Sequence, residues 1–332
     1  MTFIQRILPA NLEEEKKKFF FDPLYNPQFS YTDPVSPEEL QRYGGVSSEY
    51  VSLAEKVLDY AEKNALSPAF EKTDQKEPLL SKEDVEKIVV AFLEHENLSR
   101  IITLQFTRST VARTSMYKNT LIIRLPVEYT QSGLLGMLYH EIGTHQIRSM
   151  NDRQQLWRSK AKELKLHPHF VTEEGLAVLH SQIPKENKLL VFQAINYLAV
   201  FYAQAHSFSE VYAMLKDHIS DRERRFDISV RVKRGIVDTS KPGAFPKDQI
   251  YFSGAIEVWK WLRKRDFDPT DLYIGKIAQE DVDMLKPLST VQPLLLPTFI
   301  TENMAGYKKS LLEIGKMNFF DKISDATKDR ET

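Results

Sequence analysis

The 332-residue sequence contains no cysteine. This absence excludes disulfide bonds, thiolate metal ligands and a cysteine nucleophile, and it is compatible with a reducing compartment. An excess of either charge is also missing, because 45 Lys and Arg oppose 46 Asp and Glu, for a formal net charge of -1. No general electrostatic field therefore favours nucleic acid or an anionic membrane as a partner.

Long hydrophobic runs are absent as well. The longest apolar stretch, residues 189–205, is short for a membrane span and is interrupted by Gln193, Asn196 and Gln204. No small-residue cleavage site follows the first residues, so no signal peptide is predicted. With 42% hydrophobic and 27% charged residues, the composition is typical of a soluble globular protein. We expect it to be cytoplasmic, without a membrane or nucleic-acid partner.

Apolar periodicity predicts more helix than strand. Helices are predicted at about 48–63, 81–97, 132–150, 173–182, 186–217, 248–264 and 278–285, and strands at 100–106, 119–125 and 225–233. Ser81 and Thr172 are predicted helix caps. The proline- and aromatic-rich residues 1–45 are expected to wrap the domain in extended form. Together these elements predict an α+β fold with a small sheet.

The segment around His140 carries a pattern with chemical meaning. Zinc peptidases hold two neutral imidazoles on one side of a helix, with a glutamate beside the first, usually spaced His-Glu-x-x-His. Here His140 and Glu141 are followed by His145, five residues after the first histidine. In a regular α-helix this spacing would place the two imidazoles about 140° apart.

A single wide turn would remove this conflict. Five-residue hydrogen bonding, as in a π-bulge, brings residues five apart to the same side of a helix, and such turns occur at functional sites. Gly143 lies between the histidines, where its weak helix preference makes an irregular turn less costly. We therefore predict a widened turn at Gly143 and Thr144. With it, His140 and His145 would bind the metal and Glu141 would be the general base.

A catalytic zinc site needs a third protein ligand and an open position for water. The downstream candidates are His167, His169, Glu173, Glu174 and His180. The two glutamates point about 100° apart on a helix, so only one of them should reach the metal. Both could instead favour the helix start through the helix dipole.

These motifs resemble those of the microtubule-associated tyrosine carboxypeptidases. The blocks that carry the resemblance are His-Glu-Ile-Gly-Thr-His at 140–145 and Thr-Glu-Glu-Gly-Leu-Ala at 172–177. Further likeness is found at 25–29, 231–235, 238–243, 247–249 and Tyr251. Bacterial relatives are described by Gln-Glu-Gly-Leu-Ala. The sequence departs from that form at Glu173, which should not disturb the metal.

The resemblance implies a mostly helical, zincin-like metallopeptidase with a small sheet next to the metal-binding helix. It implies Zn²⁺ as cofactor, with His140, His145 and Glu174 as ligands and Glu141 as base. It also implies removal of a C-terminal aromatic residue, which is tyrosine on α-tubulin in the animal members. The expected segments are a wrapping segment (1–45), a catalytic domain (46–290) and a C-terminal helical extension (291–332).

A carboxypeptidase must also bind the substrate's terminal carboxylate and stabilise an oxyanion. Arginine suits the first task because its planar fork pairs with both carboxylate oxygens. The candidates for the carboxylate are Arg113, Arg124, Arg148 and Arg234. The candidates for a second oxyanion donor are Arg231, Lys233 and Tyr251.

Two other functions remain open from the sequence. The protein could be a non-catalytic binding module in which zinc only joins two helices, although such sites normally use four protein ligands. It could instead be a zinc hydrolase of a non-peptide amide. The expected partner of a carboxypeptidase is a peptide or protein C-terminus, with a tubulin tail possible where the host has tubulin.

Overall fold

Helices predominate in the computed structural model, which describes residues 3–64, 66, 77–110 and 112–323. The α-helices are, in chain order, α1 (Phe3–Arg6), α2 (Leu12–Phe21), α3 (Pro37–Leu40), α4 (Val51–Lys63), α5 (Lys82–His95), α6 (Gln131–Leu138), α7 (Ile147–Asp152), α8 (Phe170–Gln182), α9 (Val191–Ala205), α10 (Phe208–Met214), α11 (Arg222–Lys233), α12 (Gln249–Arg263), α13 (Val282–Leu285), α14 (Thr298–Thr301) and α15 (Met304–Met317). A π-helical segment, Tyr139–Gln146, joins α6 to α7. We call the continuous helix of residues 131–152 the histidine helix.

One three-stranded sheet gives the described residues their α+β character. β1 (Thr103–Thr107), β2 (Thr114–Tyr117) and β3 (Thr120–Arg124) lie in the order β1–β3–β2. β1 runs parallel to β3, and β2 runs antiparallel to it. The strands predicted at 100–106 and 119–125 are confirmed as β1 and β3. The sequence signal of β2 is weak because three of its four residues are partly buried, the last is exposed, and burial does not alternate.

The chain divides into two compact units. The first comprises Met1–Asp74 and Leu189–Ser253, and the second comprises Gln75–Lys188 and Gly254–Thr332. These units do not follow the segments predicted at 1–45, 46–290 and 291–332, whose functional division stays a prediction. Residues 324–332 of the last segment lie outside the described residues.

Aromatic side chains build the core of the first unit. Phe19 of α2 packs edge-on against Phe208 of α10, at a ring-centroid distance of 5.1 Å. Phe226 and Val230 of α11 and Phe29 complete the same buried cluster. Aromatic pairs in this geometry add stability beyond their buried area. The N-terminal region is thus tied to the helices that follow residue 189.

The second unit contains the sheet and the histidine helix. Its π-helical segment packs against α8, which also contacts α6. Two glycines allow α8 and α12 to approach closely, because a Cβ at Gly175 would overlap the backbone of Gly254. In the described residues, no helix is both long and apolar enough to cross a bilayer.

Most predicted helices are confirmed. α4, α5, the histidine helix, α8 and α12 lie where helices were expected. Ser81 caps α5 as predicted, since its side chain accepts a hydrogen bond from the Asp84 N–H. The predicted cap at Thr172 is wrong, because α8 already begins at Phe170 and the Thr172 hydroxyl accepts from the Gln279 N–H at 3.0 Å.

Three other local predictions are wrong. The predicted strand at 225–233 is helix α11, in which the polar residues between the apolar ones differ in burial: Arg225 and Ser229 are buried, whereas Asp227 is exposed. The single helix predicted at 186–217 ends at Ala205, where Ser207 and Glu210 form a capping box for α10. The N-terminal segment is not extended throughout, because residues 12–21 form α2.

We expect Gly175→Ala to destabilise the protein. The added methyl group has no free volume against the Gly254 backbone, so the free energy of unfolding should fall by about 3 kcal/mol. Urea unfolding measures this change. Gly45→Ala is the matched control, because nothing lies within 4 Å of its added Cβ. Equal losses in the two variants would contradict the close approach of α8 and α12.

Candidate metal centre

The widened turn predicted at Gly143 and Thr144 is confirmed. The π-helical segment covers both histidines and all four residues between them, including Gly143 and Thr144. Because each turn holds more residues than in an α-helix, His145 lies on the same side of the helix as His140. The Thr144 hydroxyl donates to the Tyr139 carbonyl at 2.8 Å, within this segment. The geometric requirement for a shared metal ion is therefore met.

Three ligand atoms form a compact triangle. The two imidazole Nε2 atoms of His140 and His145 are 3.1 Å apart. The Oε2 atom of Glu174 lies 3.7 Å from the first and 3.5 Å from the second. Ligand atoms at tetrahedral zinc distances are roughly 3.3–3.4 Å apart. The triangle therefore fits one face of a zinc tetrahedron and leaves the fourth corner to water or substrate.

The other candidates for the third ligand are engaged elsewhere. Among the described residues, the cluster of side chains suited to a metal is His140, His145 and Glu174. His167 faces Asp281, with its Nδ1 2.7 Å from the carboxylate. His180 contacts Thr144 and a tyrosine, as described below. The ring of His169, just before α8, is tilted against the ring of Phe170, with centroids 5.0 Å apart.

Glu173 supports the centre from behind. Its Oε1 lies 2.7 Å from the Nδ1 of His145, on the ring edge opposite the metal side. Its Oε2 accepts from Arg148, and Lys276 lies 3.1 Å from Oε1. Burial opposes ionisation, but Arg148 and the bond from His145 hold the pKa of Glu173 well below its usual range. A carboxylate that receives Nδ1–H fixes the imidazole tautomer and leaves Nε2 free for a metal.

This role of Glu173 was missed from the sequence, although the signal was present. Adjacent residues on a helix point about 100° apart. One glutamate can therefore face the metal while its neighbour faces the far edge of a ligand. Arg148, three residues after His145, lies on the same side of the histidine helix and supplies the matching charge.

The two imidazoles differ electrostatically. Burial and the neighbouring His145 lower the pKa of His140. A hydrogen bond to the Ala177 backbone opposes this shift, which means that the ring donates. Burial also opposes protonation of His145, but its bonds to Glu173 and Glu174 raise its pKa. Each ring is thus held by a hydrogen bond that aims it at the same point.

Glu141 is partly buried and lies next to His140 in the chain. Its charge acts on Tyr129, whose pKa is raised mainly by burial. The Tyr129 hydroxyl in turn hydrogen-bonds Thr114 of β2. Glu141 is therefore close enough to Tyr129 and His140 for its charge to act on both side chains.

A buried polar network supports the π-helical segment. His180 is fully buried, with Nδ1 2.8 Å from the Thr144 hydroxyl and Nε2 2.9 Å from the Tyr307 hydroxyl. Tyr273 donates to the Gly143 carbonyl at 2.8 Å. Because Thr144 uses its proton on Tyr139, His180 donates from Nδ1, and in its neutral form its Nε2 accepts from the Tyr307 hydroxyl. Burial lowers its pKa to about 3, in agreement with that state.

The predicted substrate arginines of the second unit have different surroundings. Arg148 is fully buried, and its Nε donates to the Leu272 carbonyl at 2.7 Å. It is therefore placed to pair with Glu173. Arg113 is 53% exposed, with its guanidinium 4.7 Å from the Tyr129 ring centre. Arg124 approaches Glu128 at 3.4 Å. Arg113 and Arg124 both remain partly open to solvent, and their charges act on Tyr129, as that of Glu141 does.

The remaining candidates lie in the first unit, and their use by the site stays a prediction. Arg231 makes two 2.8 Å hydrogen bonds to Asp248. Lys233 is buried and donates to three backbone carbonyls, including that of Ala203 at 3.1 Å. Burial lowers the pKa of Arg234. Tyr251 is partly buried near the start of α12.

Comparison with known proteins identifies close relatives. A family model described as "Microtubule-associated tyrosine carboxypeptidase" matches residues 32–321. "Putative tyrosine carboxypeptidase MATCAP2" of Mus musculus is 33% identical over 327 residues, covering 96% of this chain and 62% of the relative. "Microtubule-associated tyrosine carboxypeptidase 1" of Homo sapiens is 32% identical over 320 residues, covering 94% of this chain and 67% of the relative. The chain thus spans roughly two thirds of these relatives' length.

We expect Glu173→Ala to weaken zinc binding by about 10- to 100-fold, because His145 loses the acceptor that orients it. Glu173→Gln removes the same charge but keeps an acceptor, so zinc affinity should change much less. Both variants leave Arg148 buried without its counter-ion, and both should lose stability. Competition with a chelator measures the affinity. Equal zinc affinities in the two variants would contradict the orienting role.

The stability of the fold should fall in acid partly through His180. In the unfolded chain this imidazole takes up a proton below about pH 6.5, whereas the folded pKa is about 3. Stability is therefore lost as the pH falls from about 6.5 towards 3 and is unaffected above that range. His180→Gln should reduce the slope of unfolding free energy against pH by up to about 1.4 kcal/mol per pH unit. Urea unfolding at several pH values tests this, and an unchanged slope would refute it.

Proposed function

This chain belongs to the microtubule-associated tyrosine carboxypeptidase family, and on that basis we propose that it is a zinc-dependent carboxypeptidase. Its reaction is the removal of a C-terminal tyrosine, or another aromatic residue, from a peptide or protein. The observation that carries the proposal is the ligand triangle of His140, His145 and Glu174, with the charge of Glu141 acting on His140.

The donor set favours zinc among the common metals. Two imidazole nitrogens and one carboxylate oxygen form a typical catalytic zinc site, whereas calcium and magnesium prefer oxygen ligands alone. A structural zinc site would be closed by a fourth protein ligand. The described residues place three ligating side chains in this cluster and leave one position free for chemistry.

The chemistry divides between the metal and the protein. When bound, zinc lowers the pKa of a water molecule and polarises the scissile carbonyl. Glu141 takes the proton of the attacking water and then passes it to the leaving amine. His145, oriented by Glu173, and His140, oriented by the Ala177 backbone, keep the site in place during this transfer. The Glu141 side chain thus acts first as general base and then, once protonated, as general acid in the same turnover.

The proposed substrate follows from the relatives' names. The family and the human relative are named microtubule-associated tyrosine carboxypeptidase, so a tubulin C-terminal tail is the expected substrate where the host has tubulin. Elsewhere, the substrate is another peptide or protein with an aromatic C-terminus. We also propose a cytoplasmic location, where such a protein substrate would be met.

Glu141→Gln should keep zinc bound and lose turnover by at least about 100-fold, because Gln cannot accept the water's proton. Zinc content is measured by elemental analysis. Turnover is measured as the loss of one residue mass from peptides that end in tyrosine or phenylalanine, with and without a chelator. Glu94→Gln, an exposed change on α5, is the matched control.

Three results would overturn the proposal. The first is normal cleavage by Glu141→Gln, which would reject the base. The second is cleavage that survives complete zinc removal. The third is zinc binding with no cleavage of any peptide, which would favour the zinc-joined binding module or the hydrolase of a non-peptide amide.

A further inference from the structure

Strand β2 lies at the edge of the sheet and runs alongside the histidine helix. Near the start of β2, the Thr114 hydroxyl bonds to Tyr129, which immediately precedes the Thr130 cap of α6. Just after β2 ends, the Asn119 side chain accepts from Gln146 at 3.2 Å, at the end of the π-helical segment. The strand therefore runs in the same direction as the helix, past His140 and Glu141.

The outer edge of β2 can accept another strand. The Arg124 N–H donates to the Arg113 carbonyl at 2.9 Å, and hydrogen-bonded pairs alternate along an antiparallel ladder. The backbone groups of Thr114 and Met116 consequently point away from β3. Extended peptides commonly bind by adding to such an edge. An antiparallel peptide would run opposite to the histidine helix, so its C-terminus would lie towards Arg113.

Two cationic side chains lie at the Arg113 end of β2. Arg113 directly precedes β2, and Lys185 follows α8, the helix that carries Glu174. The Cε of Lys185 lies 3.5 Å from the point that a Cβ at Gly136 would occupy. Gly136 is four residues before His140, so the two share a face of the helix. Lys185 is thus held beside the metal face, one turn before the first ligand.

The distance along the helix between the first metal ligand and Lys185 matches the length of one amino-acid residue. Four helical residues advance about 6 Å along the axis. In an extended peptide, the terminal carboxylate lies about 3.5 Å beyond the preceding carbonyl. A charge-assisted hydrogen bond adds about 2.8 Å. A carbonyl at the metal would therefore place the carboxylate of a single following residue within reach of Lys185.

The charges at this end lack a full counter-ion. Burial and the positive charge of Arg113 lower the pKa of Lys185 to about 8. Among the described residues, no carboxylate forms an ion pair with its ammonium group. Arg113 has Glu128 at 3.9 Å, and that carboxylate is shared with Arg124. An incoming carboxylate would relieve the repulsion between Lys185 and Arg113.

We infer that Lys185, assisted by Arg113, binds the terminal carboxylate of a peptide that adds antiparallel to β2. This inference rests on the proposed function, because it names the group that makes the enzyme specific for a chain end. It also fixes the direction of the substrate: the leaving residue lies over the first turns of the histidine helix.

Binding measured without turnover tests the inference. The full-length, zinc-loaded Glu141→Gln variant serves as parent, and its probes are one labelled hexapeptide ending in tyrosine, as free acid and as C-terminal amide. The parent should bind the acid more tightly. Adding Lys185→Gln should weaken acid binding by about 10- to 100-fold and leave amide binding unchanged. Adding Lys185→Arg should restore much of the acid preference.

Lys118→Gln in the same parent is the matched control, because this lysine follows the opposite end of β2. It should leave both affinities unchanged. The inference is overturned if the parent shows no preference for the acid, if Lys185→Gln weakens acid and amide equally, or if Lys118→Gln is the variant that removes the preference. Thermal unfolding confirms that each variant is folded.

The proposed function has a separate readout. Cleavage of the free-acid peptide by the wild-type enzyme decides whether the protein is a carboxypeptidase. If the wild-type enzyme does not cleave but the preference for the free acid depends on Lys185, the proposed function is rejected and the carboxylate-binding site stands. If the wild-type enzyme cleaves but the preference for the free acid survives Lys185→Gln, the proposed function stands and the role of Lys185 is rejected.

Discussion

The centre depends on one backbone constraint, the five-residue hydrogen bonding of Tyr139–Gln146. Without it, imidazoles five residues apart would diverge, and no single ion could contact both. The wide turn is supported on several sides. Thr144 bonds the Tyr139 carbonyl, Tyr273 bonds the Gly143 carbonyl, and His180 holds Thr144. An energetically unfavourable helix geometry is thus stabilised by a buried polar network.

A second layer of charge surrounds the ligands. Glu173 joins His145 to Arg148, so a buried anion and a buried cation stabilise each other next to a proposed metal ligand. Such a pair is costly to desolvate and costly to break. Its benefit here is orientation, because the ring of His145 is fixed before any metal arrives. In the proposed zinc site, Glu174 would bind the ion and the adjacent Glu173 would orient the ligand His145.

The sequence predicted the centre better than its surroundings. The histidine spacing and Gly143 were sufficient to predict the wide turn, because both are local. The role of Glu173 was missed because its partners could not be chosen without the packing of α8. Helix α11 was mistaken for a strand because buried polar residues such as Arg225 imitate an exposed face. Lys185 carries no sequence signal, since its position depends on the approach of α8 to Gly136.

The fold gives a second reason for the glycine at position 143. A Cβ there would lie 2.6 Å from Cε1 of Phe299, whose ring stacks on Tyr139 with centroids 4.0 Å apart. Phe299 is distant in the chain, yet it limits what the metal-site turn can contain. Positions 143 and 299 should therefore co-vary among homologues: a larger residue at the first becomes possible only where the second is smaller.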